Sequence, residues 1–475
     1  MNGKNRVCFF AFSCPKHPLG MIALLCAILL TGCASHSSAQ ELPELTATPL
    51  LTAAPTSLPT PSPSPTAEPT PSPVPTPEPV TAAFLEPSSM GRKEVFPYLL
   101  PGENESVMMV RWTGPISDQT PFVLYGPDDG SGTLPANAVR AEVSRRSATT
   151  SDASYNRYFY EARLDVAPET RYIYGIEEGD AAPGVVYPFV TPRTDGAFHA
   201  VFGSDTHIEN RAHGQLLASS LETALQMVLD DGHGLDGIFL LGDVVNKLDE
   251  SLDVVTANAP LMRSIPSTVI VGNHDSLGAI TSFFPAPHKD PTTWDYWFVR
   301  GGVLFIGMNI RYTNYLRHAD FLRAAAEQAE PHNWTVMMIH YSMRTNGNHG
   351  IDRPVYNLWY FLGPVMEELD VDLVISGHDH EYDRTPLMNT SGPAPDAAGD
   401  QLVKRRGEML FVCVPSTTGV KFYNRNIHTD IPMAAESLEA ARGFVLADFS
   451  PEALRLRAVN ADTGEIVDET VLRRE

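Results

Sequence analysis

The spacing of apolar residues changes along the chain, and the change divides it. Between about residues 83 and 193, short runs alternate apolar with polar residues and are separated by turn residues, as in SVMMVRWTG, FVLYG, RYFYEARLDV and VVYPFVTPR. That is the pattern of strands with one buried face, and it predicts a small antiparallel β-sandwich. Beyond Thr194 the runs become almost wholly apolar, as strands covered on both faces require. Between them lie stretches of helical spacing: Leu216, Leu217, Leu221, Leu225, Val228 and Leu229 fall on one face between Gly214 and Asp231. The expected fold class is α/β, with a layered α/β domain over residues 194–475 behind the all-β sandwich of residues 83–193. No internal repeat is visible.

The first 82 residues fit neither pattern. Lys4, Arg6 and Lys16 precede an apolar run, Leu19 to Leu30, too short to span a bilayer and suited to the core of a signal peptide. The run ends in Leu30, Thr31, Gly32 and Cys33, which resembles a bacterial lipobox and implies a signal peptide over 1–32, cleavage before Cys33 and a lipid on its sulfur. An exported lipoprotein facing the cell surface or periplasm is expected, with its membrane contact through Cys33. Residues 33–82 form a linker rich in Pro, Ser and Thr, including PTPSPSPTAEPTPSPVPTPEP, which favours extended polyproline conformation. At about 3.1 Å per residue such a stalk reaches on the order of 100 Å. Of the five cysteines, Cys8, Cys14 and Cys26 leave with the signal peptide and Cys33 is modified, so Cys413 remains and no disulfide framework is available.

Charge excludes some partners. With 34 Lys and Arg against 57 Asp and Glu, the 475-residue chain carries a formal −23, which argues against coating nucleic acid or lying on anionic lipid through basic patches. A negatively charged substrate would need positive charge supplied locally.

Five apolar runs of the second domain each end in metal-competent residues. HAVFGSDTH delivers Asp205 and His207; GIFLLGDVVN delivers Asp243; STVIVGNHD delivers Asn273, His274 and Asp275; TVMMIHYS ends at His340; DLVISGHDHEYDR supplies His378 and His380. In an extended chain residues two apart share a side, so His378 and His380 are expected to face one small volume. Ligands of open α/β sheets bind at the carboxyl ends of strands, and five such ends converge on one site. Taken singly, an Asp-x-His after a strand reads as a cap or turn, and a lone histidine as a satisfied core residue. Taken together, so many ionisable groups side by side are costly to bury without a cation.

In order, Asp-x-His, Gly-Asp, Gly-Asn-His-Asp, His and Gly-His-x-His resemble the signature of the calcineurin-like metallophosphoesterases, from about Phe198 to Tyr382. The resemblance implies a two-sheet α/β sandwich and a dinuclear centre: Asp205, His207 and His380 on one metal, Asn273, His340 and His378 on the other, with Asp243 between them. Oxygen and imidazole donors without thiolate suit two divalent or mixed-valence ions of Fe, Mn or Zn. Such a pair activates a water for attack on a phosphate ester. His274 looks like the family's histidine that assists the leaving group, with Asp275 expected to orient its ring.

The order of a sandwich followed by this domain resembles purple acid phosphatases, as do GHDHEYDRT and the closing GFVLADFS and LRLRAVNADTGEIVDE. The stretch LDVAPETRYIYGIE resembles a turn of fibronectin type III-like domains in which a tyrosine, here Tyr172, ties a corner to nearby backbone. His349 stands where purple acid phosphatases often carry a substrate-contacting histidine. Two departures are visible. Asn246 occupies the place of the tyrosine that colours the purple enzymes, and His207 replaces a usual glycine. The expectation is a non-purple phosphomonoesterase. A phosphodiesterase or nucleotidase on the same metals stays open, as does a surface binding protein with structural metals. Trp294, Tyr296 and Trp297 read as packing, Arg311, Tyr312 and Tyr315 as candidates to line the pocket. His199, His213, His233, His288, His318, His332 and His428 read as surface or structural residues.

Overall fold

A computed structural model describes residues 96–115, 120–147, 157–177, 183–246, 251–309, 311–395, 399–425 and 431–475. The expected signal peptide and linker, Cys33 and His428 lie outside the described residues. The described part opens with two four-stranded antiparallel sheets. One holds Tyr98–Pro101, Val107–Pro115, Arg157–Asp165 and Val143–Ser147; the other holds Val139–Ala141, Phe122–Pro127, Arg171–Glu177 and Val186–Val190. Alternate residues of both, among them Leu99, Val110, Trp112, Tyr125, Tyr174 and Phe189, close on one core, as the two-residue period predicts. The Tyr172 hydroxyl accepts from the Ala167 amide at 2.9 Å, tying the corner expected of it.

Two seven-stranded sheets follow. In the first, Phe198–Gly203, Gly237–Leu240 and Ser267–Val269 run parallel, and the antiparallel strands Gly443–Phe449, Leu454–Asn460 and Ile466–Arg474 extend it. In the second, Val303–Met308, Trp334–Tyr341, Leu373–Gly377 and Leu410–Cys413 are parallel. The alternation along each strand assigns the layers. Phe198, Ala200 and Phe202 face Phe298, Phe305, Val336 and Met338 between the sheets. Val201, Ile238 and Leu240 face outward, against the helix Arg211–Asp230. Leu304, Ile306, Met337 and Ile339 back onto the helices Tyr315–Gln328 and Arg353–Glu368. A strand covered on both sides has no polar face to show, so these strands read as unbroken apolar runs.

The helix Arg211–Asp230 buries Gly214, Leu217, Ser220, Leu221, Ala224, Leu225 and Val228. Leu216 and Leu229, expected on that face, lie at its margins and are half-buried, because small Ser220 and Ala224 fill the closest approach. The helix starts where the Asn210 side chain accepts from the His213 amide.

The N-terminal sheets are not a free spacer. Tyr98, Leu100 and Phe159 pack into the same core as Ile280 and Phe283, and the Tyr98 hydroxyl donates to the Phe283 carbonyl at 2.6 Å. Buried Arg300 donates to the carbonyls of Asn104 and Val107 at 3.1 and 3.3 Å. Tyr174 donates to the Arg263 carbonyl at 2.8 Å.

Candidate metal centre

The seven residues singled out as metal ligands meet at the carboxyl ends of the parallel strands. After Phe198–Gly203 and Gly237–Leu240 the two chains stay paired past the sheet: the Asp205 amide donates to Gly242 and the His207 amide to Asp243. These bonds hold Asp205, His207 and Asp243 side by side. From the second sheet, the His378 amide donates to Asp205 Oδ2 at 2.7 Å, and His340, still within its strand, donates from Nδ1 to the Leu241 carbonyl at 2.8 Å. Across the pair of sheets the approach is close. A Cβ on Gly377 would stand 1.7 Å from Ser204 Oγ, and one on Gly272 would stand 2.1 Å from Asp243 Oδ1. Only glycine leaves room at those two positions.

His378 and His380 do not lie in an extended chain. Their φ angles are 77° and 62°, and Asp205, His207 and Asp243 also have positive φ, at 51°, 42° and 48°. Half of the ten non-glycine residues with positive φ among the described residues are therefore predicted ligands. Asp and His tolerate this conformation better than most side chains, and strain concentrated in one place marks a functional site. The two histidines still converge, but a left-handed turn brings them together rather than the two-residue repeat of a strand.

Tautomers follow from the outer hydrogen bonds. His380 Nδ1 donates to the Lys421 carbonyl at 2.7 Å, which leaves its Nε2 lone pair 3.2 Å from Asp205 Oδ1 and 3.3 Å from His207 Nε2. His340 Nε2 likewise faces Asn273 Oδ1 at 3.1 Å and Asp243 Oδ1 at 3.4 Å. These are acceptors pointing at acceptors. Burial opposes charge on His340, yet Asp243 and Asp205 push its imidazole up to about 10. Burial opposes ionisation of Asp243 too, and His340 holds its carboxyl down at about 2. The pocket calls for positive charge at its centre.

Four groups of atoms close enough to share an ion are linked here through shared residues: Asp205, His207 and His380; His207, Asp243 and His274; Asp243, His340 and His378; and, at the rim, His349, Asp352 and His378. The two carboxylate oxygens of Asp243 are divided, Oδ1 toward His340 and Oδ2 toward His207 and His274, the latter two at 3.9 Å. Lone pairs of buried imidazole and carboxylate without thiolate fit transition-metal ions of borderline hardness. The seven residues are thus a donor set that fits a pair of ions sharing Asp243.

The residues around this set are placed as follows. His274 Nδ1 donates to Asn246 Oδ1 at 3.0 Å, and the Asn246 amide in turn donates to Glu209. Asp275 does not orient the ring. It is buried, accepts from the amides of Val245 and Gly272 at 3.1 and 2.9 Å, and holds the loop instead; burial, with Asp243 nearby, pushes its carboxyl up to about 7. Arg311 donates to the carbonyls of Asn273 and Asp275, both at 2.9 Å, bracing the same loop from outside. Tyr315 stacks on Phe361 and Tyr312 meets His318 edge-on, while Tyr296 and Trp297 are buried packing. His199 and His318 are buried against Asp448 and Asp295, as structural residues.

His349 does reach the site: its ring centroid lies 4.3 Å from that of His378, and its Nδ1 pairs with Asp352 at 2.9 Å. Two contributors carried no signal in the sequence. The carbonyl of Lys421 fixes His380, and the ring of Tyr423 lies 4.5 Å from His380 and 4.9 Å from His349. Their segment follows no motif, and only the tertiary fold brings it over the site.

Residues 199–382 match the sequence family of calcineurin-like phosphoesterases. No curated protein matches the chain. Among solved structures, the fold is similar to that of a purple acid phosphatase from seeds of yellow lupin (Lupinus luteus), 18% identical, with 80% of this chain and 74% of that one covered and a TM-score of 0.68. It is also similar to PhoD, 11% identical, with 81% and 90% covered and a TM-score of 0.53. At these identities the likeness is one of fold. The chain therefore carries a calcineurin-like metallophosphoesterase domain, on a fold similar to that of a purple acid phosphatase, and with it the chemistry of a metal-dependent phosphoester hydrolase.

Proposed function

We propose that the protein is an exported phosphomonoesterase with a dinuclear centre, in which Asp205, His207 and His380 hold one ion and Asn273, His340 and His378 the other, with Asp243 shared. One observation carries this reading: the oxygens of Asp243 face the two donor groups separately. Two bound transition-metal ions would polarise the phosphoryl oxygens and make a water acidic enough to attack at neutral pH. The chain's own residues do the rest. Backbone carbonyls of Leu241 and Lys421 keep the imidazoles of His340 and His380 turned inward, the outer-sphere support that metal-binding histidines need. His274 is anchored through Nδ1 by Asn246 and is about a quarter exposed; doubly protonated, it presents Nε2–H to a departing alkoxide. His349, next to His378, contacts a phosphate from the open side. Asp243→Asn is expected to abolish turnover of an aryl phosphate and to lower metal content, read by elemental analysis; full activity in that variant would sink the assignment. Paired mono- and diesters of one alcohol test the preference for monoesters, and faster diester turnover would make the chain a diesterase.

Export and lipid attachment rest on Leu30, Thr31, Gly32 and Cys33. Radiolabelled palmitate is expected to enter the wild-type protein in bacterial cells and not Cys33→Ala. Equal labelling of both would remove the anchor from the proposal.

A further inference from the structure

Exposed apolar side chains are unevenly spread. Eleven large ones are exposed among the described residues, and four of them, Ile351, Tyr356, Tyr360 and Phe361, belong to one stretch of eleven residues. That stretch begins at the metal-competent cluster. Asp352, which pairs with His349, precedes the helix Arg353–Glu368, and its carbonyl accepts from the Tyr356 amide at 3.1 Å. From Tyr356 a row of rings leads away: Tyr356 stacks on Tyr360 at 6.4 Å, Tyr360 meets Phe361 edge-on at 5.1 Å, and Phe361 stacks on Tyr315 at 5.2 Å. Leu316, 68% exposed, follows in sequence. On the other side of His349, Tyr423 touches its ring, and exposed Val420 and Phe422 flank the same segment. Six of the eleven thus stand on the two segments that border His349, and Leu316 extends the row at its far end.

Single exposed apolar residues need no explanation, but a row of neighbouring rings on the helix that directly follows His349 and Asp352 does. Tyrosines suit a surface that is apolar on one side and wet on the other. The net charge sharpens the point. A field of −23 opposes the approach of any anion, whereas apolar contact is indifferent to it. Binding energy from a part of the substrate that does not react then holds the phosphate against that field.

We propose that this rim seats the apolar alcohol portion of an amphiphilic phosphoester, a long-chain alkyl phosphate whose head enters the histidine and aspartate cluster while its chain lies along Tyr356, Tyr360 and Phe361. The identity of the head group rests on the function proposed above; the seating of the chain does not. The test is titration calorimetry of the metal-loaded protein with n-alkylphosphonates from ethyl to decyl, which cannot be hydrolysed. Affinity is expected to rise roughly two- to fourfold per methylene. The double variant Tyr356→Ser/Tyr360→Ser is expected to flatten that rise while leaving ethylphosphonate binding and turnover of ethyl phosphate unchanged. Val420→Ser/Phe422→Ser tests the other bank in the same way. Affinity independent of chain length overturns the inference, as does a rise that survives both double variants. Equally tight binding of alkyl glucosides of matched length also overturns it, since the rim would then ignore the phosphate. A dimer that the double variant dissociates would assign the row to a second copy and overturn it likewise. If phosphonate affinity follows chain length but no alkyl phosphate is turned over, the hydrolase reading fails and the seat stands.

Discussion

The side chain that decides how His274 acts is Asn246. An imidazole next to a reacting phosphate is useful only if one nitrogen is tied down, because a freely rotating ring spends most of its time misaligned. Asn246 Oδ1 accepts from Nδ1 and its amide is held by Glu209, so the pair acts as a fixed post. Asn246→Ala is expected to lower kcat by roughly 10- to 100-fold, within the range that a general acid contributes, with metal content unchanged. Asn246→Asp keeps an acceptor and is expected to restore much of the rate. A loss of metal in Asn246→Ala, or no loss of rate, would remove the residue from this role. At this scale the convergence of the seven candidate ligands was legible in the sequence because few residue types bind such metals, and all seven follow or end apolar runs. The roles of Asp275, Asn246 and Tyr423 were not, because a hydrogen-bond partner is chosen by the fold. Adjacency of Asp275 to His274 in sequence suggested a pairing, but the turn points the carboxylate at its own loop's amides.

The elements that position the site are strand ends, and their spacing is set by what is missing as much as by what is present. Gly377 closes the strand Leu373–Gly377 against Ser204 and Asp205, and His378 donates its amide to Asp205 immediately afterwards. A methyl group at 377 cannot be absorbed by a flexible side-chain tip, since Asp205 is itself held by the Gly242 carbonyl and the His378 amide. Gly377→Ala is expected to push the two sheets apart locally, to cost about 1–3 kcal/mol by overpacking, and to lower the metal content of the purified protein. Denaturant unfolding and elemental analysis check it; a variant with wild-type metal content and stability would show that the approach is looser than described. Strands and the first long helix were readable from periodicity alone, since burial on one or two faces leaves a direct mark on the sequence. Close approach of two backbones leaves only a glycine, and the chain has 34 of them, most with other uses.

Across the whole molecule, the N-terminal sheets and the catalytic sheets share a core rather than meeting through a linker. Tyr98, Leu100 and Phe159 are among the residues that also bury Ile280 and Phe283, and Arg300, buried in the catalytic domain, donates from Nη1 to the carbonyls of Asn104 and Val107. An unpaired buried guanidinium is expensive, so separation of the two parts would strand Arg300 and expose Phe283 at once. Unfolding is therefore expected to be a single calorimetric transition for a form beginning near residue 83, although its sequence divides into two patterned regions. Ions held by the proposed donor set at the junction of the two catalytic sheets would bind the folded state alone, and at a thousandfold excess over their dissociation constant would add about 4 kcal/mol. A chelator is expected to move the whole transition to lower temperature without splitting it, and Tyr98→Phe, which leaves the Phe283 carbonyl without its donor, to lower it by a further amount corresponding to about 1 kcal/mol. Two resolved transitions, with only the second responding to chelator, would mean that the N-terminal sheets fold on their own and that the shared core contributes little to holding the catalytic domain.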